Sequence, residues 1–235
     1  MSAHDDDSAH PSGTFAPEPP ELARSGAPAL RGGHSATRRR AFYGHVVNVV
    51  YAMGLSLWFG ALLMTGAVAA IIFPTMRDLG VSLDRFAAFD PSQHWKIAAG
   101  AVMEKAFFAL DLVQAVSLFL IAGLFLMQVT LFGHRLRAKA NLLRALLIAT
   151  LIGTTGYHVF VLAPRMNANL RQFWTLAESG ATDETGRTAA MYQAAFDADH
   201  PRASTMLSTN ALLVAGLVVV SAVALGRPSR EQRGA

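Results

Sequence analysis

The chain has 235 residues, of which 52% are hydrophobic and only 15% charged, with no cysteine and a mean hydropathy of +0.33. This composition excludes a disordered chain and is unusually apolar for a water-soluble domain, while the missing cysteines exclude disulfides, thiolate metal sites and cysteine nucleophiles. The formal charge of +4 would fit nucleic acid only if the basic residues shared one folded face; here they flank long charge-free stretches, so no nucleic-acid partner is expected.

Residues 1–41 are rich in Ala, Pro, Ser and Gly, lack apolar periodicity and read as a disordered tail. The apolar run that follows starts too late and is too long for a secretory signal. Between Arg40 and Arg77 no Asp, Glu, Lys or Arg occurs, and VVNVVYAMGLSLWFGALLMTGAVAAIIFP exceeds the roughly 20 residues that cross a bilayer. The first span is therefore placed at 46–74, ended by Pro74 and Arg77. Asp90-Pro91-Ser92 has the form of an N-cap with proline in the first turn of a second helix. That helix runs to Phe132, about twice the hydrocarbon thickness, with its charge-free part at 112–132 and an overhang carrying Glu104, Lys105 and Asp111. A basic loop with His134, Arg135, Arg137, Lys139 and Arg144 and no acid leads to a third span at 145–164, closed by Arg165 and continued as helix to Ser179-Gly180. Another amphipathic segment, Asp183 to Asp199, is expected to break at His200-Pro201 before the fourth span at 204–226.

Basic residues near the span ends give the orientation. Arg38 to Arg40, the loop between spans two and three, and the tail 227–235 are basic, whereas the other two loops each hold four basic and five acidic residues. The positive-inside rule puts both termini in the cytoplasm. The expected fold is an all-α, four-helix transmembrane bundle (42–226) in the cell membrane. Its helical extensions form an extracytoplasmic cap packed through Trp95, Phe107, Phe108, Phe173, Trp174, Tyr192 and Phe196.

The first span has small residues at Ser56 and Gly60, and at Gly66 and Ala70, a spacing that allows close helix approach within the bundle or between copies. Glu104, Asp111, Gln114 and Gln128 fall near one face of helix two; Thr150, Thr154, His158 and Arg165 do so on helix three. Ionisable groups at the membrane boundary are costly unless paired, so Glu104, Asp111, His158 and Arg165 form the candidate polar site. Asp111 is expected to face Arg165, with His158 below them, either as a pair fixing helix register or as a substrate, proton or ion site. His45 and His158 differ by ~20 Å in height at helical rise and cannot share one haem iron. His94 and His200 are the remaining, weak metal candidates, and no cofactor is assigned. Neither phosphate-cradling loop nor nucleophile elbow nor metalloprotease helix motif occurs, so no catalytic residue is assigned.

Several segments carry a family resemblance. GLSLWFGALLMTGAVAAIIFP, HWKIAAGAVMEKAFFALD, APRMNANLRQFW and YQAAFDADHPRAS are similar to the helices and third loop of the four-helix domain that includes transmembrane protein 205 and many bacterial proteins, a domain of unknown function. The resemblance covers about residues 54–224. It implies a multi-pass membrane domain whose eukaryotic members are linked to drug resistance and trafficking, with signature positions here at Trp58, Gly60, Pro74, Gly100, Arg165, His200 and Ser204. His45, Trp58 and Gly60 also resemble the opening of copper-resistance and protoporphyrinogen-oxidase-like membrane proteins, which implies redox chemistry; a second histidine at matching depth is lacking. The leading expectation is a non-enzymatic binding, transport-associated or complex-forming membrane protein. The alternatives are a haem- or metal-dependent redox protein and a proton- or ion-coupled carrier. Four spans are few for a carrier acting alone, so transport implies a homo-oligomer or membrane complex.

Overall fold

A computed structural model describes residues 32–132 and 138–225. The chain divides into two units, Met1–Arg39 and Arg40–Ala235, and the second contains the bundle. Its described residues are mostly helical, with no strand, and four helical stretches are long and apolar enough to cross a membrane. Helix α1 spans Gly32–Asp78, α2 His94–Thr130, α3 Lys139–Tyr157, α4 Ala163–Ser179 and α5 Ala189–Leu225, while a π-helical turn, His158–Leu162, joins α3 to α4. Thus α1 begins inside the stretch that composition reads as tail, and residues 1–31 and 226–235, like the loop 133–137, lie outside the described residues.

Local sequence explains the ends and the irregular turn. Asp90 caps as expected: its carboxylate accepts from the Ser92 amide at 2.9 Å and hydroxyl at 2.8 Å, with Pro91 in a short 3₁₀ turn leading into α2. Both hydrogen bonds hold the Asp90 carboxyl below the usual carboxylate range. Gly180, at φ +67°, ends α4 in the left-handed region, and its amide returns to the Leu176 carbonyl at 2.9 Å. Pro164 cannot donate to the Phe160 carbonyl and its ring crowds the preceding turn; widening that turn to π geometry relieves the conflict. Pro201 behaves differently from the expected break, because α5 continues through it. The helix loses one backbone bond there, and Asp199, two residues earlier, is anchored from α4 by Arg165.

Buried positions recur at alternating intervals of about three and four. On α3 and its continuation they are Asn141, Arg144, Ile148, Leu151, Thr155, His158, Leu162 and Met166, the spacing of a left-handed bundle seam. Hydrogen bonds fix an up-down-up-down register: Gln128 meets Asn48 of α1 and Arg144 of α3, while Asn210 of α5 meets Gln114 of α2 and Thr154 and Thr155 of α3. One core joins all four long stretches through Tyr51, Leu55, Trp58, Ile121, Phe125, Leu151, Val214 and Leu217. Polar side chains share this interior, whereas Phe119 and Phe160 (80% exposed) and Leu212 (75%) stand on the outside. Large apolar side chains on the outside, over an interior that also holds polar groups, depart from a water-soluble distribution and suit a lipid-facing belt.

At ~1.5 Å per residue the 37-residue α2 is about 55 Å long, more than a ~30 Å hydrocarbon layer is thick. The end of the bundle where α2 begins has its own core, in which Phe86, Ile97, Phe173, Leu176, Ala177 and Ala189 pack with Trp174 and Tyr192, and Phe89 meets Phe173 edge to face at 5.3 Å. Phe196 packs on a neighbouring cluster of Leu162, Met166 and Ala203, and Phe107 on the main core, whereas Phe108 is 74% exposed. Ser56, Gly60, Gly66 and Ala70 are exposed, so this small-residue stripe faces away from the bundle, and a methyl added at Gly60 or Gly66 would meet nothing within 4 Å.

Candidate functional site

A cavity of about 670 Å³ lies between α2, α4 and α5, with Phe73 of α1 at its side. Its walls are largely aromatic and aliphatic: Trp95, Met103, Phe107, Met166, Phe173, Trp174 and Phe196 are among them. Gly100 makes the upper part possible, since a Cβ there would stand 3.9 Å from Cζ2 of Trp174 and any larger side chain would enter the space. Asp111 and His158 also line the cavity, and from Gly100 to Asp111 α2 descends ~16 Å, so the space is elongated along the helices.

At that lower end His158 Nε2 lies 3.3 Å from Asp111 Oδ1, with the His158 side chain only 7% exposed and that of Asp111 22%. Gln114, one turn below, donates to the same carboxylate oxygen at 3.4 Å. Gln114 Oε1 in turn accepts from Asn210 Nδ2 at 3.3 Å, and Asn210 also donates to Thr155 Oγ1 at 3.2 Å and accepts from Thr154 Oγ1 at 2.6 Å. Asn210 is fully buried and paired at both ends of its amide. The polar cluster is thus satisfied by protein on its lower side. Two buried nitrogens of cavity-lining residues, Nδ1 of His158 and Nε1 of Trp174, have no hydrogen-bond partner among the described residues.

The expected pairing of Asp111 with Arg165 is not formed. Arg165 instead binds Asp199 of α5 through Nε–Oδ2 and Nη2–Oδ1, both 2.6 Å, and Arg202 approaches the same carboxylate at 3.3 Å. The charge-free stretches of α2 and α3 do not begin and end at one height. The register set by Gln114, Thr155 and Asn210 leaves Arg165 two helical turns above His158, out of reach of Asp111. Glu104 lies on the cavity wall two turns above Asp111, its side chain 19% exposed, with Lys105 Nζ 3.5 Å away.

Of the positions carried by family resemblance, Gly100, His200 and Ser204 line the cavity. Trp58 is fully buried in the main core, with Nε1 unpartnered, while Gly60 and Pro74 are exposed on α1. His94 is not oriented as a metal ligand: Nδ1 accepts from the Leu83 amide at 3.1 Å and Nε2 lies 3.0 Å from the Phe86 carbonyl oxygen, which ties the first loop to the start of α2. His200 lies beside Phe196 with ring centroids 5.7 Å apart. Among the described residues no group of three or more His, Asp or Glu is arranged to hold a metal ion.

Sequence reasoning passed over three residues that matter. Asn210 was visible as a lone amide in the fourth span, and Asp199 as a carboxylate two residues before a proline. Arg144 looked like a loop cation; it is fully buried between the rings of Tyr51 (4.7 Å) and Phe125 (5.1 Å), donating to Gln128 Oε1 at 2.7 Å and Asn141 Oδ1 at 3.3 Å. No protein family, curated protein or solved structure matches this chain.

Proposed function

We propose that the protein is a multi-pass membrane protein that binds a lipophilic small molecule in the cavity between α2, α4 and α5, in a transport-associated or complex-forming role rather than as an enzyme. The observation that carries this reading is a cavity of pocket size whose walls are mainly apolar and whose polar side chains include the sheltered Glu104, Asp111 and His158. In this reading both termini are cytoplasmic and the cavity lies toward the extracytoplasmic end of a bundle in the cell membrane. The excess of Lys and Arg on the opposite side supports that orientation. The resemblance to the transmembrane protein 205-like domain points to the same class.

The test is mass spectrometry of small molecules extracted from the purified protein, compared with Gly100→Phe, in which the new ring occupies the upper cavity. Retention by the natural chain and loss from the variant are expected. Equal retention by both, or by neither, overturns the reading.

A proton- or ion-coupled carrier is the second reading, favoured by the polar chain from Asp111 and His158 through Gln114 to Asn210, which extends into the bundle below the cavity. It predicts pH-dependent ligand uptake that Asp111→Asn abolishes. The haem- or metal-dependent reading receives no ligand set from the described residues.

A further inference from the structure

We infer that the cavity is selective for a lipophilic amine in its protonated form, the ammonium entering the lower end against Asp111 and His158. This rests on the binding role proposed above and specifies its ligand. Asp111 Oδ1 faces Nε2 of His158, which fixes that nitrogen as the N–H donor when the ring is neutral and leaves the lone pair on Nδ1. That Nδ1 is closed off from the cavity and has no partner among the described residues, so the group of this lower end that a ligand can meet is the Asp111 carboxylate, whose side chain is 22% exposed.

The charges lining the cavity agree. The acids in its wall that are largely withdrawn from solvent are Glu104 and Asp111, on one face of α2, whereas the Lys105 side chain is 81% exposed and Lys96 and Arg171 are also exposed. Exposed cations at the rim are screened by salt, while the sheltered carboxylates act at higher effective strength on a ligand inside. Phe107 and Phe196 are also in the wall, and aromatic rings attract a cation at their faces. A carboxylate ligand would meet like charge at Asp111, and a neutral ligand would bring no charge to that sheltered carboxylate. The elongated space fits a hydrocarbon body extending from the ammonium toward Trp174.

The test uses decylamine, decanol and decanoate, which share a chain and differ in head group. The full-length chain lacks cysteine, so Asn167→Cys on the cavity wall gives a single thiol whose maleimide labelling reports occupancy in lipid nanodiscs. Decylamine is expected to protect the thiol at a concentration about tenfold below that needed for decanol, with decanoate weaker still. Equal protection by all three overturns amine selectivity and leaves the binding pocket standing; protection by none overturns both. Stronger protection by decanol or decanoate also overturns the inference. Asp111→Asn and Glu104→Gln, each added to Asn167→Cys, should reduce the preference for decylamine over decanol without weakening decanol. Glu104 lies outside the hydrogen-bonded cluster of Gln114 and Asn210, so its variant keeps the test informative if Asp111→Asn fails to fold. An unchanged preference in Glu104→Gln and in a folded Asp111→Asn counts against the proposal.

Discussion

Removing the Arg165–Asp199 clamp gives an asymmetric pair of effects whose sizes follow from burial. The two bonds at 2.6 Å are charge-assisted, and bonds of that kind contribute ~1.5–3 kcal/mol each. In Asp199→Ala the stranded guanidinium reaches water, because the Arg165 side chain is already 46% exposed, which reduces the net cost to about 2 kcal/mol. Arg165→Ala instead leaves a carboxylate whose side chain is 8% exposed, with Arg202 at 3.3 Å as its remaining partner in the clamp, and should cost about 3 kcal/mol. At ~2–4 °C per kcal/mol for a chain of this size, melting in detergent should fall by about 4–8 °C for Asp199→Ala and 6–12 °C for Arg165→Ala. The double variant should lose less than the sum, by about 2 kcal/mol of coupling. Strict additivity, or a larger loss in Asp199→Ala than in Arg165→Ala, would refute the reasoning that α4 and α5 are locked by a sheltered carboxylate.

Other consequences are equally specific. Gln128→Ala takes the 2.7 Å acceptor from a fully buried Arg144 and should cost about 2 kcal/mol, whereas Gln128→Leu combined with Arg144→Met should cost less than Gln128→Ala; denaturant or thermal unfolding of the three proteins decides this. Gly180→Ala imposes a left-handed backbone on alanine and brings its Cβ to 3.1 Å from Cβ of Ala88, so it should lower stability by about 1–2 kcal/mol and by more than Gly186→Ala, where φ is +77° but the space is open. The Asp183 carboxylate accepts from Tyr192 Oη at 2.6 Å and from the Arg187 and Thr185 amides, which holds its pKa far below the ordinary carboxylate range. Because that pKa is depressed on folding, its contribution is complete above the ordinary value near ~4 and is lost as pH falls through the lower folded value. Proteolysis of the 180–188 loop should therefore accelerate at strongly acidic pH in the natural chain, while Asp183→Asn should be fast already at neutral pH; identical pH profiles contradict this.

The four long helices were legible because lipid leaves a coarse imprint: charge-free runs, Asp90-Pro91 at a helix start and Gly180 at an end. Facing pairs were harder to read. Asp111 and Arg165 both border charge-free stretches, but contact depends on relative height, which is set by partners such as Asn210 that are distant in sequence. The distinction between a loop cation and a core cation failed at Arg144 for a related reason, since its shelter comes from Tyr51 and Phe125 on other helices. Glu104, Asp111 and His158 were singled out by the cost of ionisable groups near lipid, and all three line the cavity. The aromatic wall that encloses them depends on the tertiary placement of Gly100 beside Trp174.

Photoaffinity labelling with a diazirine-bearing lipophilic probe, read by peptide mapping, tests most directly whether this cavity is a binding site. The account predicts labelling of interior cavity residues, above all Met103 and Met166, which are 2% and 8% exposed, and loss of that labelling in Gly100→Phe. Labelling confined to the outward-facing belt at Phe119, Phe160 and Leu212 would contradict it.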